Sequence, residues 1–359
     1  MSEISSFLVA RGDLQRCRFE TAAAEALQPG DVLLKIDSFS FTTNNITYAQ
    51  TGDLLHYWQF FPAPAGWGIV PVWGFADVVE SRHDALAPGE RLWGFLPMAT
   101  HVRLQPDRVD AQIVVDGAAH RRELPVGYNV YYRCAADPLY DPRYEDLQSL
   151  VRGLFTTAFL IDDFLAEHAL FGARSVVISS ASSKTAFSFA HQLHHRGDAA
   201  ESVGLTSANN RSFVEGLDIY DRVLTYDQLD QLDPTRPSVL VDFAGSGPTR
   251  SAIYAHFGDH LKYSMAVGMS HRDLHPPGRG LPGPKPEFFF APAQRQKRTK
   301  EWGRDGFTSR FGDSWRIFLD SAERWLTITT SHGQPAVEQT YRATLDGKVA
   351  PAVGNILSL

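Results

Sequence analysis

The chain has 359 residues, of which 43% are hydrophobic and 21% charged, and its formal net charge is −7 at pH 7. The length exceeds that of most single cores and favours two domains. The modest charge gives no reason to expect a nucleic acid or a membrane surface as a partner, and the only two cysteines, Cys17 and Cys134, exclude a disulfide framework. Because the N-terminus lacks signal-peptide features and no apolar stretch approaches membrane-spanning length, we expect a cytoplasmic protein that binds a small-molecule substrate.

The first third of the chain carries short β-rich runs separated by proline and glycine. Examples are Asp31–Asp37, Ile69–Trp73 and Ala76–Glu80. This pattern predicts a small, irregular β domain. From about Glu145 the apolar residues recur at helical spacing instead, which indicates a change of architecture.

The segment Ser175–Ser207 predicts a strand, a turn of small residues, a helix and a second strand. The N-terminus of such a helix offers unpaired N–H groups and the positive end of a dipole, so a pyrophosphate is its natural ligand. Three further strand-like runs alternate with helical segments: Arg222–Thr225, Ser238–Phe243 and Leu261–Val267. The pattern predicts an α/β fold with a doubly wound parallel (Rossmann) sheet.

The last part of the chain contains a proline- and glycine-rich segment, residues 276–286, and a predicted helix over Ser314–Leu326. The chain ends in a strand-like run that needs a sheet to join, and we expect that sheet to be the N-terminal one. The predicted domains are therefore residues 1–145, completed by about 315–359, and residues 146–314.

The order of these parts can be compared with known architectures through a set of landmarks. They are Asp31–Lys35, Phe75–Ser81, Pro88–Gly94, Phe155–Leu160, Asp242–Gly245 and Val267–Gly268. A β domain, a dinucleotide fold and a short return strand in this order resemble the medium-chain dehydrogenase/reductase superfamily, especially its zinc-independent quinone oxidoreductase-like and enoyl reductase branches. The resemblance implies an N-terminal GroES-like irregular β-barrel domain and a homodimer.

Three further segments narrow the resemblance: Thr43–Tyr48, Val72–Phe75 and Ser180–Ala186. Together they are similar to an uncharacterised branch known only as a domain of unknown function, which supplies no substrate. Zinc-dependent relatives have a cysteine and a Gly-His-Glu segment where this chain reads Val72–Ala76. We therefore expect no metal.

The turn before the predicted helix lacks the run of glycines found in relatives. It carries Ser180, Ser182, Ser183, Lys184 and Thr185 instead. We expect these residues to contact the cofactor pyrophosphate, with hydroxyl groups and one ammonium group in place of closely approaching backbone. The alternative is a serine-capped turn with Lys184 in solvent.

The end of the second predicted strand bears on which nicotinamide cofactor is bound. NAD-specific folds usually have an acidic residue there, whereas this chain has Ser207, Asn210 and Arg211. These groups suit a 2′-phosphate, so the predicted cofactor is NADP(H). Alternatively, the polar residues only cap the next helix. Ala244 and Gly268, after the fourth and fifth strands, are the remaining predicted cofactor contacts.

Candidate catalytic residues lie in the β domain, where zinc-independent relatives place substrate-facing Asn, Asp and Tyr side chains. Asn45 and Tyr48 could donate hydrogen bonds to a substrate oxygen, and Asn44 is a predicted substrate contact. Tyr57 lies where enoyl reductases carry a proton-donating tyrosine. The alternative is a structural role, since asparagines form turns and tyrosines are common in cores.

Aromatic and cationic residues suggest the character of the substrate. Trp58 and Trp73 belong to an aromatic-rich region that suits an apolar pocket wall, or an ordinary core. Arg133 could bind a carboxylate or a phosphate.

The sequence thus predicts a metal-independent, NADP(H)-dependent oxidoreductase that reduces a carbonyl or an activated C=C bond of a small apolar or aromatic substrate. The alternatives are a lyase or retro-aldol-type enzyme that uses the nucleotide transiently or structurally, and a non-catalytic NADP(H)-binding protein.

Overall fold

A computed structural model describes residues 3–197, 200–267 and 282–359. The chain divides into two compact units: unit 1 is Met1–Arg152 with Leu326–Leu359, and unit 2 is Gly153–Trp325. Within the described ranges, no helix has both the length and the apolar character needed to cross a membrane.

Unit 1 is built on β-strands. They are β1 (Glu3–Ala10), β2 (Asp13–Ala23), β3 (Val32–Phe41), β4 (Trp67–Gly68), β5 (Pro71–Ser81), β6 (Arg91–Pro97), β7 (His101–Leu104), β8 (Pro106–Val109), β9 (Ile113–Asp116), β10 (Val130–Arg133), β17 (Thr327–His332) and β18 (Val353–Ser358). One sheet runs in the order β2-β1-β4, and another in the order β17-β18-β3-β5-β6-β10-β9-β8 with β7 paired to β3.

The end of the chain completes the larger sheet of unit 1. Strand β18 pairs antiparallel with β3, with Asn355 opposite Phe41, which confirms the predicted joining of the last strand to the N-terminal sheet. Phe7, Phe39 and Phe95 are fully buried in the core of the unit. Their burial, at roughly 25 cal/mol per Å² of apolar surface, is a major source of its stability.

Unit 2 contains a parallel sheet. Its strands are β11 (Ser175–Ile178), β12 (Glu201–Thr206), β13 (Arg222–Thr225), β14 (Ser238–Asp242), β15 (Leu261–Ala266) and β16 (Glu287–Phe288). They lie in the order β13-β12-β11-β14-β15-β16, and each pairing is parallel. This is the strand order of a dinucleotide-binding fold, and the predicted fold class is confirmed. The order reverses between β11 and β14, so ligands are expected at the carboxyl ends of these strands.

The helices are α1 (Thr43–Gln50), α2 (Glu145–Glu167), α3 (Lys184–Arg196), α4 (Arg211–Glu215), α5 (Gly247–Phe257), α6 (Ala291–Trp325) and α7 (Gln334–Leu345). Helix α3 begins after Ser183, whose hydroxyl caps the Ala186 N–H, and ends at Gly197, which has the left-handed φ of 72° that glycine tolerates.

Helix α6 differs from the sequence prediction, which started a helix only at Ser314. The helix begins at Ala291 and is interrupted at Gly303, where φ is 74°. Its first part has few apolar residues and therefore no clear helical period in the sequence. After the kink Phe311 and Trp315 follow at helical spacing and pack on Phe155 of α2.

Candidate functional site

The predicted pyrophosphate turn lies at the carboxyl end of β11 and is fixed by backbone hydrogen bonds. The Ser180 N–H donates to the Tyr226 hydroxyl at 3.0 Å, and the Ala181 N–H donates to the Leu205 carbonyl. Ser180 has a φ of 50°, a left-handed conformation that favours glycine and costs a serine about 1 kcal/mol. Backbone strain of this kind concentrates at ligand sites.

Lys184 is the first residue of α3 and is half-buried. Burial lowers the pKa of its ammonium group to about 8. Thr185, the next residue, is also half-buried. The predicted turn residues are thus brought together at the N-terminus of a helix of 13 residues.

The end of β12 is tied to this turn by one side-chain contact. The Asn210 amide nitrogen donates to the Ser182 hydroxyl at 3.0 Å. Neither Ser207 nor Asn210 caps a helix through its side chain, which removes the capping alternative for both. Arg211 donates to the Glu215 carboxylate at 2.8 Å and to the Gln228 side-chain oxygen at 3.3 Å.

Thr206, the last residue of β12, has a buried hydroxyl without a hydrogen-bond partner in the part of the chain that the structure describes. Side chains alternate between the two faces of a strand, so Thr206 shares a face with Gly204. A Cβ at Gly204 would lie 3.1 Å from the Cβ of Ala181, which belongs to the turn. The unsatisfied hydroxyl is therefore on the face of β12 that carries the turn.

The carboxyl end of β14 is organised around Asp242. Its Oδ1 accepts hydrogen bonds from the Ser179 hydroxyl at 2.6 Å and from the backbone N–H groups of Ala244 and Gly245. The Ala244 N–H also donates to the Ser179 oxygen. This network fixes the Ala244 backbone that the sequence predicts to contact the cofactor. Gly268 lies outside the described residues.

The candidate catalytic tyrosines of unit 1 lie in one aromatic cluster. The rings of Tyr48 and Tyr57 are 4.4 Å apart, and the Tyr57 hydroxyl is 3.1 Å from the Tyr128 hydroxyl. Phe95 packs on Tyr48 and on Tyr128, with ring distances of 5.6 and 4.7 Å. Burial raises the pKa of all three phenols above its usual range. They therefore stay protonated at neutral pH and can act as hydrogen-bond donors.

Tyr48 has polar neighbours as well as aromatic ones. The side chains of Asn44 and Trp73 approach its hydroxyl and favour the ionised form, but burial outweighs them and raises the pKa. The buried indole N–H of Trp73 makes no hydrogen bond of ordinary geometry with the described residues. Trp73 is half-buried and stacks on Trp93 at 4.8 Å.

Three other predicted residues are engaged by the protein itself. Asn45 completes the capping box of α1 with Thr42, and its amide nitrogen donates to the Pro71 carbonyl. Trp58 is buried against the backbone of two glycines, Gly52 and Gly68. Arg133 binds the Glu90 carboxylate through two nitrogens, at 2.9 and 2.8 Å. The structure therefore brings Asn44, Tyr48, Tyr57 and Trp73 together but uses these three in its own framework.

Two residues of these clusters were missed as site residues in the sequence. Tyr226 directly follows β13, at the same sheet edge as the turn. Its position at the carboxyl end of a parallel strand could have identified Tyr226 as a site residue from the sequence. Tyr128 lies 71 residues from Tyr57, and no local pattern predicts that contact. Among the described residues, no group of three or more His, Cys, Asp or Glu side chains could hold a metal ion.

Comparisons with solved structures find the same architecture. A putative NADPH:quinone reductase from Mesorhizobium loti has a TM-score of 0.62 and 14% identity over 99% of this chain and 98% of that chain. A mutant form of enoyl thioester reductase from Candida tropicalis has a TM-score of 0.59 and 10% identity over 100% of both chains. The yhdH oxidoreductase from Salmonella enterica, solved in complex with NADP, has a TM-score of 0.52 and 13% identity over 99% of both chains.

The fold is one that this chain shares with quinone oxidoreductases and enoyl reductases of known structure. The chain belongs to the family described as a protein of unknown function (DUF2855), whose model matches residues 39–350. The comparison confirms the predicted uncharacterised branch. No curated protein matches the sequence.

Proposed function

We propose that this protein is a metal-independent, NADP(H)-dependent oxidoreductase that reduces a carbonyl or an activated C=C bond of a small apolar or aromatic substrate. The observation that carries the proposal is the hydrogen bond from Asn210 to Ser182. It joins the end of β12 to the turn at the N-terminus of α3, which are the two places where a dinucleotide fold binds the ribose and the pyrophosphate.

The residues at this turn fit a diphosphate. Burial disfavours the charged form of the half-buried Lys184, and a neighbouring phosphate would favour that form. The Thr206 hydroxyl is buried without a described partner, and a ligand oxygen would satisfy it. Both observations support an anionic ligand with many oxygen atoms at this end of the sheet.

The preference for NADP(H) is supported by the charge at the end of β12. The strand ends in Thr206 and is followed by Ser207, and neither position has a carboxylate that would repel a 2′-phosphate. The Arg211 side chain is 40% exposed and its partner Glu215 is 48% exposed. An exposed ion pair of this kind contributes about 0–1 kcal/mol, so Arg211 can exchange it for a phosphate at little cost. The NADP complex of the Salmonella enterica neighbour is consistent with this choice.

Unit 1 supplies the groups proposed to act on the substrate. A nicotinamide cofactor supplies a hydride when bound. Tyr57 and Tyr48 would donate hydrogen bonds to the substrate oxygen, since their phenols remain protonated. Asn44 would assist Tyr48, and the half-buried Trp73 would form part of an apolar wall. Asn45, Trp58 and Arg133 have no part in this proposal.

We also propose a homodimer formed through the edge of the parallel sheet. Among the described strands, β16 is the last in the sheet order. Phe288 and Phe290 at this edge are 43% and 44% exposed. An exposed strand edge with apolar side chains is a surface that proteins usually cover.

The cofactor part of the proposal is tested by fluorescence titration with NADPH and NADH. Wild type should bind NADPH more tightly, and Arg211→Ala should lose about tenfold in NADPH affinity with little change for NADH, as expected for a lost charge-assisted contact. Arg222→Ala is the matched control and should behave as wild type, since Arg222 is a half-buried arginine at the start of β13 whose side chain is 36% exposed. An unchanged preference in Arg211→Ala would refute the NADP(H) assignment.

The chemical part is tested by NADPH oxidation in the presence of quinones, enones and aromatic ketones. Turnover that consumes NADPH supports a reductase. Conversion of substrate without net change in nicotinamide absorbance indicates the lyase alternative. Tight NADPH binding without any conversion indicates a non-catalytic binding protein.

A further inference from the structure

The Tyr57 and Tyr128 hydroxyls form a pair in unit 1. The oxygens are 3.1 Å apart, so one hydroxyl donates a hydrogen bond to the other. The rings meet edge-on, at 5.8 Å and 77°. Both residues are half-buried, and both lie on short helical turns, Tyr57–Gln59 and Val126–Tyr128.

Hydrogen bonds from the buried Arg121 fix the backbone at Tyr128. The Arg121 guanidinium, which is 1% exposed, donates to the Tyr128 carbonyl at 2.8 Å and to the Asn129 side-chain oxygen at 2.7 Å. It also donates to the Tyr131 hydroxyl and lies 3.3 Å from the Asp116 carboxylate. A buried arginine with its hydrogen bonds satisfied fixes the backbone around it, and therefore fixes where the Tyr128 side chain begins.

The Tyr128 ring is fixed as well. Phe60 and Phe95 pack against it, with ring distances of 5.4 and 4.7 Å, and both phenylalanines are fully buried. Close packing on both backbone and ring leaves the hydroxyl a narrow range of positions. Tyr57, in contrast, is not anchored by an arginine among the described contacts and depends on its aromatic neighbours.

We propose that Tyr128 is a positioning residue that donates its hydroxyl hydrogen to the Tyr57 oxygen and thereby prepares Tyr57 as the proton donor of the reduction. The inference rests on the function proposed above. In the reaction a hydride would form a C–H bond at the carbonyl carbon or β-carbon of the substrate, and the electron pair of the broken π bond would move to the oxygen or the α-carbon. That atom would take the proton of Tyr57 as the Tyr57 O–H bond breaks. Tyr57 is left as a phenolate, which the Tyr128 hydroxyl stabilises until water returns a proton.

The groups around Tyr57 shift its pKa in opposite directions, and Tyr128 is the one that favours loss of the proton. Burial and the nearby Tyr48 phenol raise the pKa of Tyr57, whereas the hydrogen bond from Tyr128 lowers it. Without Tyr128, the Tyr57 phenolate would lose its hydrogen-bond donor and form less readily.

Kinetics with Tyr57→Phe, Tyr128→Phe and the control Tyr341→Phe test the proposal. Tyr341 is a buried tyrosine of the same unit whose hydroxyl donates to the Leu14 carbonyl. Loss of a general acid typically costs about a hundredfold or more in kcat, which we expect for Tyr57→Phe. Loss of a hydrogen bond to a charged oxygen typically costs about tenfold, which we expect for Tyr128→Phe, in kcat rather than KM and with unchanged NADPH affinity. Tyr341→Phe should retain wild-type kcat.

A second measurement does not depend on turnover. A ring-fluorinated tyrosine at position 57 is more acidic than tyrosine, and its ionisation is followed by fluorine NMR. Its pKa should rise when Tyr128→Phe is added and stay unchanged with Tyr341→Phe. An unchanged pKa in the Tyr128→Phe background, or a Tyr128→Phe enzyme with wild-type kcat, would overturn the inference.

The two experiments separate failure of this inference from failure of the proposed function. A wild-type protein that reduces none of the quinones, enones or ketones disproves the function and, with it, the proton-transfer role, while the NMR titration still reports the hydroxyl pair. An active reductase whose Tyr128→Phe variant is unimpaired disproves only the role of Tyr128.

Discussion

The Ser179 hydroxyl donates to the Asp242 carboxylate at 2.6 Å and joins the carboxyl ends of β11 and β14. These are the two strands between which the strand order of the parallel sheet reverses. The Ser179 oxygen also accepts from the N–H groups of Phe243 and Ala244. One buried hydroxyl therefore holds the two chain segments that flank the proposed ligand position.

Ser179→Ala should destabilise the protein measurably. The substitution leaves the buried carboxylate without its hydroxyl donor and two backbone N–H groups with fewer acceptors, and such losses cost about 1–3 kcal/mol. The free energy of unfolding of the full chain, measured in urea, checks this value. Ser188→Ala is the matched control, since Ser188 is equally buried but its hydroxyl only donates to the Lys184 carbonyl within α3. Equal losses in both variants would contradict the role assigned to Ser179.

NADPH affinity should fall as pH rises through the pKa of Lys184, which burial lowers to about 8. Below that pH the Lys184 side chain is an ammonium group that favours a phosphate. Above that pH the Lys184 amine of the free protein must take up a proton when NADPH binds. The affinity then decreases by up to about tenfold per pH unit. Fluorescence titrations from one unit below to two units above this pKa provide the measurement.

Two variants make this pH dependence specific to Lys184. Lys184→Arg keeps its charge throughout the range and should give a flat profile. Lys262→Met removes an exposed lysine from β15 and should retain the wild-type decrease. The same slope in Lys184→Arg and wild type would show that another group titrates.

The sequence was sufficient for features that depend on local signals. The buried run Ser175–Ile178, the capping Ser183 and the terminating Gly197 define one strand and one helix by patterning and capping alone. The parallel sheet follows from repeating such units. Asn210 and Ser182 were each predicted as cofactor contacts, but no local pattern predicted the hydrogen bond between them.

The sequence was insufficient where side chains find partners far along the chain. Asn45 was expected at the substrate, but it closes a capping box with Thr42, a pattern that usually has Glu or Gln in its place. Arg133 was expected to bind a ligand anion, yet Glu90 provides its carboxylate from 43 residues away. Such pairings depend on strand register, which no local pattern encodes.

His191 should make unit 2 less stable in acid. Its ring is 1% exposed, and its Nε2 has no hydrogen-bond partner among the described residues. Burial, with smaller contributions from His195, His194 and Arg324, lowers its pKa from 6.5 to about 3. The unfolded chain therefore binds a proton that the folded protein does not, and stability is lost as pH falls from the ordinary histidine pKa towards the folded one.

Urea unfolding at neutral pH and at one unit below the ordinary histidine pKa measures this effect. His191→Phe, which keeps an aromatic ring against Phe318 and Trp325, should lose less stability on acidification than wild type. His332→Asn replaces an exposed histidine of β17 and should not alter the pH dependence. A wild-type acid response in His191→Phe would assign the effect to other groups.

The proposed dimer predicts that the exposed edge of β16 becomes buried between two copies of the chain. If two copies pair there, Phe288 and Phe290 of each copy become buried, and the unpaired backbone groups of the edge gain hydrogen bonds. The double variant Phe288→Glu/Phe290→Glu would bring like charges together at the contact and should convert a dimer to a monomer in light scattering. Ile317→Glu, at an α6 residue that is 48% exposed, should leave the mass unchanged. Because β16 pairs with β15 within one chain, the monomeric variant should retain its unfolding transition and NADPH binding. A wild-type protein that is itself monomeric would show that this edge is covered in some other way.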